Sequence, residues 1–432
     1  MPDTSPQKIQ KGKHDPYQAL RHRNFQYQWL GSLFGSLGNQ MQGAAVGWDI
    51  YTRTHSAFAL GLVGLVQALP VLMLALPAGQ IADRLDRRRI VLSMAGLLAL
   101  AWLGLYSASS NDGHISLFYF FLFIDGIANS LISPARTALM TQLVPLNELP
   151  NAITWNSTRV QISTMAGPAL GGLAIAAFAG PAPVYLVAVA LSMVDLVCVV
   201  LMRPRPQERS KEKLSWNSIS SGARFVYNNK LLLAPLSLDM LAVLLGGAVA
   251  LMPIFAKDIL KVGATGYGFL LAAPSVGALL TLLFLAYTPA IRRAGKVLLW
   301  CVAGYGVTMI VFGASKSFWL SMVMLFLAGG LDSISVMIRH TLVQVITPDF
   351  LRGRVSSING LFIGVSNELG GFESGTVAKF LGPIPTVVLG GIGTIVVVAG
   401  VALKWPQLRN LNTLEEAAQE ALEKYGHVTD SD

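Results

Sequence analysis

The stretch Gly79-Gln80-Ile81-Ala82-Asp83-Arg84-Leu85-Asp86-Arg87-Arg88-Arg89, with Ile90-Val91-Leu92 after it, decides the fold. Six charges fall within the seven residues 83–89, between apolar runs at 58–81 and 90–107. Hydrocarbon excludes so dense a cluster of charge, whereas each neighbouring run is long enough to cross it. The stretch therefore reads as a tight turn between two membrane-spanning helices. Gly79 and Ala82 are small enough for the helix ends to approach closely. The alternation of Asp83, Arg84, Asp86, Arg87 and Arg88 offers charge-assisted contacts that would latch neighbouring helices together.

Composition carries the reading to the whole chain. Of 432 residues, 53% are hydrophobic and 13% charged, and the mean hydropathy is +0.55. A soluble chain carries roughly a quarter charged residues, so an integral, all-α membrane protein is expected. The net charge of +9 does not imply nucleic acid, because the charges sit in the connections between apolar runs. Cys198 and Cys301 lie in separate apolar runs without paired spacing, and the six histidines lack metal-ligand spacing. No metal and no cofactor are expected. Nor is an enzyme: there is no Walker loop, and Gly390-Gly391-Ile392-Gly393 lies inside a span, where packing explains it. The first 24 residues are polar and basic with no apolar core, so no cleavable signal peptide is expected.

A window of about 20 apolar residues predicts twelve spans: 25–51, 58–81, 90–109, 115–136, 151–178, 183–202, 231–256, 264–290, 297–314, 317–338, 353–377 and 384–403. An even number places both termini on one side. Twenty-six Lys and Arg fall on that side and five on the other, with Arg159 inside a span, so both termini are expected in the cytoplasm. The chain then divides into an arm (1–24), a six-helix bundle (25–202), a central connection (203–230), a second bundle (231–404) and a tail (405–432). Trp216, Ile219, Ala223 and Val226 recur at helical spacing and predict an interfacial helix in the connection. The Glu- and Ala-rich run 413–425 predicts a soluble helix.

The two bundles repeat each other. Arg136 and Pro145 recur as Arg339 and Pro348, Gly167 and Gly172 as Gly370 and Gly375, and Arg21 as Arg224, each 203 residues on. Two parallel six-helix halves about an axis normal to the membrane are a transporter plan, with the substrate site between them.

Residues 79–88 resemble the turn between spans 2 and 3 of the major facilitator superfamily, whose pattern is G-x-L-a-D-R-x-G-R-R. Ile81 stands for the Leu, and Asp86 for the second Gly. The resemblance implies a cytoplasmic latch built from Gly79, Asp83, Arg84, Arg87 and Arg88. In span 5, Ser163-Thr164-Met165-Ala166-Gly167-Pro168-Ala169-Leu170-Gly171-Gly172 resembles the G-x-x-x-G-P-x-x-G-G motif of drug and metabolite exporters, with Ser163 for the first Gly. Gly167, Pro168, Gly171 and Gly172 would kink the helix and let another pack at backbone distance. Trp48-Asp49-Ile50-Tyr51, Pro134-Ala135-Arg136-Thr137-Ala138-Leu139, Asn151-Ala152, Arg352-Gly353-Arg354-Val355 and Ser366-Asn367-Glu368-Leu369-Gly370 resemble the enterobactin (siderophore) exporter group. That group neighbours twelve-span drug/proton antiporters, the setting of multidrug resistance.

Ionisable residues inside spans are costly unless paired or hydrated, and mark function. Asp125, Asp332, Glu368 and Glu373 are candidates for proton coupling, because a carboxylate in a low dielectric suits the loading and release of protons. Asp125 and Asp332 serve equally as permanent partners of an arginine. Asn129 continues a polar stripe from Asp125, and Asn39, Gln40 and Gln42 cluster near mid-membrane, as a cavity wall would. Arg159 either binds an anionic substrate or neutralises Asp125. Asp49 reads as solvated near the outer interface, Asp239 as touching the headgroup layer, and Asp195 has no account.

These readings converge on a secondary transporter exporting a siderophore, drug or similar amphipathic metabolite by alternating access and proton antiport. It would sit in the cytoplasmic (inner) membrane, with lipid, protons and a small molecule as its partners, most simply as a monomer. The rivals are a proton-coupled nutrient importer on the same fold and a non-transporting membrane sensor.

Overall fold

A computed structural model of the protein describes residues 15–74, 77–205, 223–289, 291–413 and 416. The Asp83 side chain, Trp216 and Ile219 of the expected interfacial helix, and most of the run 413–425 lie outside the described residues. Residues 223–228 are helical.

Among the described residues, twelve long helical segments follow in order. The first half has α1 (Arg23–Thr54), α2 (Ala57–Leu74), α3 (Arg87–Ser110), α4 (Ile115–Leu143), α5 (Leu149–Ala177) and α6 (Ala182–Leu201). The second has α7 (beginning as Lys230–Leu245), α8 (Gly263–Ala286), α9 (Ala294–Ala314), α10 (Phe318–Ile346), α11 (Asp349–Leu381) and α12 (Pro383–Lys404). No strand occurs among the described residues. Among the described residues, ten segments are long and apolar enough to cross a membrane. The other two, α1 and α11, have 32 and 33 residues and more polar side chains.

One span differs from the sequence reading. The second is described as Ala57–Leu74 and again as Pro77–Arg84, with residues 75–76 outside the described residues. The seventh is broken: α7 stops before Gly246-Gly247, then continues as a 3₁₀ turn (Ala248–Leu251), a helical turn (Met252–Ile254) and a π-helix (Phe255–Ile259). Adjacent glycines are poor helix formers. The hydroxyl of Tyr305 donates to the freed Gly246 carbonyl at 3.3 Å.

The 79–89 turn is held within the first half. Asp86, the departure from the superfamily pattern, caps α3: its carboxylate accepts from the Arg89 N–H at 3.1 Å. Arg87 donates to the Ala138 carbonyl of α4 at 3.1 Å, and Arg88 to the Val199 and Val200 carbonyls of α6 at 3.0 and 2.6 Å. Arg84 is exposed. A Cβ on Gly79 would meet open space, so close approach falls to buried Ala82.

Glycines show how the repeat packs. Gly167 of α5 lies against Gln40 of α1, and its repeat mate Gly370 of α11 lies against the Val243 carbonyl of α7. Gly172 of α5 meets Gly268 of α8, where a Cβ would stand 2.6 Å from Cα. Gly375 of α11 meets Gly61 of α2 at 2.5 Å by the same measure. The first pair joins helices within a half, and the second joins the halves.

Candidate functional site

A cavity of about 400 Å³ opens in the first half, lined by α1, α3, α4, α5 and α6. Its wall runs from Gln28 to Gln40 on α1, from Asn129 to Met140 on α4 and from Asn156 to Thr164 on α5, with Leu98, Trp102, Ser192 and Asp195. These positions lie toward the end of the bundle that carries the 79–89 turn. No residue of the second half lines it among those described.

Several contacts between the halves lie toward the other end. There Tyr51 of α1 donates to the Asp258 carboxylate in the π-helix, and Trp48 stacks against Tyr267 at 5.4 Å. Phe58 packs against Phe372 at 6.3 Å, with the Lys379 ammonium 4.8 Å above the Phe58 ring. The two inter-half glycine contacts fall on the same side.

Of the predicted cavity residues, Asn39, Gln40, Asn129 and Arg159 line this space. Gln42 does not: it is buried outside the wall, with Nε2 unpartnered, since two residues along a helix turn it from the face of Gln40. Pro168 sits inside an unbroken α5, where Gly171 packs on Met41 and Ala44 of α1.

The arginines are the chemical core. Arg136 donates to the hydroxyl of Ser32 and to Asp195 Oδ2. Arg159 donates to the Ser32 carbonyl at 3.2 Å, to Asn156 Oδ1 at 3.1 Å and to the Ser36 hydroxyl. It therefore does not neutralise Asp125. That carboxylate is buried and accepts from Trp102 Nε1 at 2.8 Å and Asn129 at 3.1 Å.

The four coupling candidates separate. Glu368 lies on the seam between the halves, where Gly64 of α2 packs on its backbone carbonyl. Glu373 accepts from Ser374 at 3.3 Å. Asp332 is half exposed, 4.0 Å from Arg339.

Three acids read otherwise from sequence are parts of buried networks. Asp49 is 2% exposed and accepts from Arg53 and Ser109, each at 2.6 Å, and from Tyr185 at 3.3 Å, so it is not solvated. Asp239 pairs with Arg339 rather than with headgroups. Asp195 acquires its role as partner of Arg136. Sequence missed it because its partner is 59 residues away.

A family profile described as transmembrane secretion effector matches residues 14–427. The chain belongs to that family of the major facilitator superfamily. Among curated relatives, the enterobactin exporter EntS of Escherichia coli (strain K12) is 25% identical over 396 residues, covering 90% of this chain and 93% of its own. EntS of Shigella flexneri is 26% identical over 380 residues, covering 87% and 90%. The POT family transporter PepTSo aligns with a TM-score of 0.72 at 13% identity, over 90% of this chain and 98% of that one. A bacterial homologue of ferroportin in the inward-facing state gives 0.69 at 16% identity, over 90% and 99%. This major facilitator is thus a multi-pass membrane transporter and not an enzyme.

Proposed function

We propose that the protein exports a small amphipathic metabolite of siderophore or drug type across the cytoplasmic membrane, by alternating access coupled to inward proton flow. The observation that carries the reading is the asymmetry of the bundle. A polar cavity with two arginines lies toward the end bearing the 79–89 turn, while inter-half contacts lie at the opposite end. With the termini cytoplasmic, as the 26-to-5 distribution of Lys and Arg favours, this is the state that loads from the cytoplasm. Export is further supported by the names of the curated relatives and by the Gly-Pro-Ala-Leu-Gly-Gly element of α5.

Asp125 and Glu368 are the favoured coupling acids among the four candidates. They sit on opposite halves, Glu368 on α11 where Gly64 of α2 packs against its carbonyl, so protonation there removes a charge from the seam that closure would bury.

Proton flux in liposomes holding the purified protein, with siderophores and drugs inside, tests the proposal. Substrate-dependent proton movement, lost in Asp125→Asn or Glu368→Gln, is the expected result. Substrate movement without protons would sink the coupling, and accumulation in intact cells instead of depletion would reverse the direction.

A further inference from the structure

We propose that the cavity of the first half is a site for an organic anion, in which Arg159 and Arg136 take the anionic group and Asp195 is a built-in competitor for Arg136. The proposal rests on the transport reading for its context, and on the chemistry of the cavity for its content. Three charged side chains line the space, two arginines and one aspartate, which leaves one positive charge in excess. Arg159 forms no ion pair among the described residues, and its three acceptors are neutral. A guanidinium is a planar fork of five donors that grips a carboxylate or sulfonate in bidentate fashion. In a space partly shielded from water, an uncompensated fork of this kind attracts an anion.

The pair beside it is half made. Arg136 holds Asp195 Oδ2, while Oδ1 is buried without a partner and the side chain is 4% exposed. The carboxylate fills a niche made by Gly31 and Gly35 of α1, where a Cβ would come within 2.8 Å of Oδ1 or 2.9 Å of Oδ2. Besides the two arginines, the titratable group beside it is the thiol of Cys198 on its own helix. An anion entering the cavity competes for the fork that Asp195 now occupies. Leu98, Trp102, Ile132 and Met140 supply an apolar wall, so the ligand is an anionic group on an apolar or aromatic body.

The second half lacks the feature. Arg339, the repeat mate of Arg136, is matched by Asp239 and lies 4.0 Å from Asp332. Phe362 stands where the repeat would place Arg159. The anion site therefore belongs to one half.

Calorimetric titration of the full chain in lipid nanodiscs with benzenesulfonate tests this, with neutral benzenesulfonamide as the matched control. The sulfonate should bind at least tenfold more tightly than the sulfonamide. Arg159→Gln should cost about tenfold and Arg159→Lys less, while Asp195→Asn should gain about tenfold. Gly35→Ala, whose new methyl presses Asp195 from its niche, should gain likewise and guards against misfolding of the first variant. Equal binding of the two probes, no sulfonate binding, or indifference to Arg159→Gln overturns the anion site. Loss in both Asp195→Asn and Gly35→Ala overturns the competitor. Binding needs no gradient, so failure here with export intact would reject the anion site alone. Intact binding without export would reject the transport reading alone.

Discussion

The pairing of Arg339 with Asp239 is the most enclosed ion pair of the second half, with side chains 6% and 11% exposed. Removing one partner of such a pair strands the other charge, at about 3–5 kcal/mol. Arg339→Ala should therefore lower the thermal unfolding midpoint in detergent clearly, and the double variant Arg339→Ala/Asp239→Ala should recover part of the loss. An unchanged midpoint in the single variant would mean that the pair contributes nothing. At this scale the sequence was legible where a residue declares itself through its neighbours. Gly172 beside Gly171 is an example, whereas the capping of α3 by Asp86 was not read. It was illegible where meaning comes from a partner on another helix: Asp239 read as a headgroup contact and Asp195 had no account, and only tertiary packing separates a cavity residue from a core one.

Among the elements, α5 and α11 do the most joining. Gly172 and Gly375 admit Gly268 and Gly61 at backbone distance, and no side chain larger than hydrogen fits without separating the helices. Gly172→Leu should hold the two halves apart at that end. A cysteine at exposed Thr52 should then react faster with a membrane-impermeant maleimide, with little change at exposed Arg84. Equal labelling in variant and parent would contradict the packing argument. The repeat spacing made these glycines readable in pairs, because both members recur at one offset. The break in α7 was not readable, since hydropathy runs through Gly246-Gly247 without interruption and only backbone geometry records where the ladder stops.

Across the whole molecule, Tyr51 and Asp258 form a polar link between halves at the closed end. A hydrogen bond to a carboxylate is worth about 1.5–3 kcal/mol, enough to shift a two-state population tenfold or more. Tyr51→Phe should lengthen the mean distance between spin labels at Thr52 and Lys261, measured by pulsed electron resonance. An unaltered distance distribution would assign closure to the glycine contacts instead. The overall architecture was legible because membrane topology is written in the order of apolar and charged runs. Which end stands open was not, because both states use the same sequence.

Among the described residues the cavity wall comes from one half only, and this has a consequence for what can travel. Cargo gripped by a single rigid body rides with it, and its contacts are the same before and after the swing. Such a passenger binds both conformations equally and so cannot bias the equilibrium between them. Productive cargo must therefore be long enough to reach across the gap and touch the opposite wall in one state more than in the other. A compact ion that fits the arginines would be a tenant that never pays its fare, and would hold the site without being moved any faster.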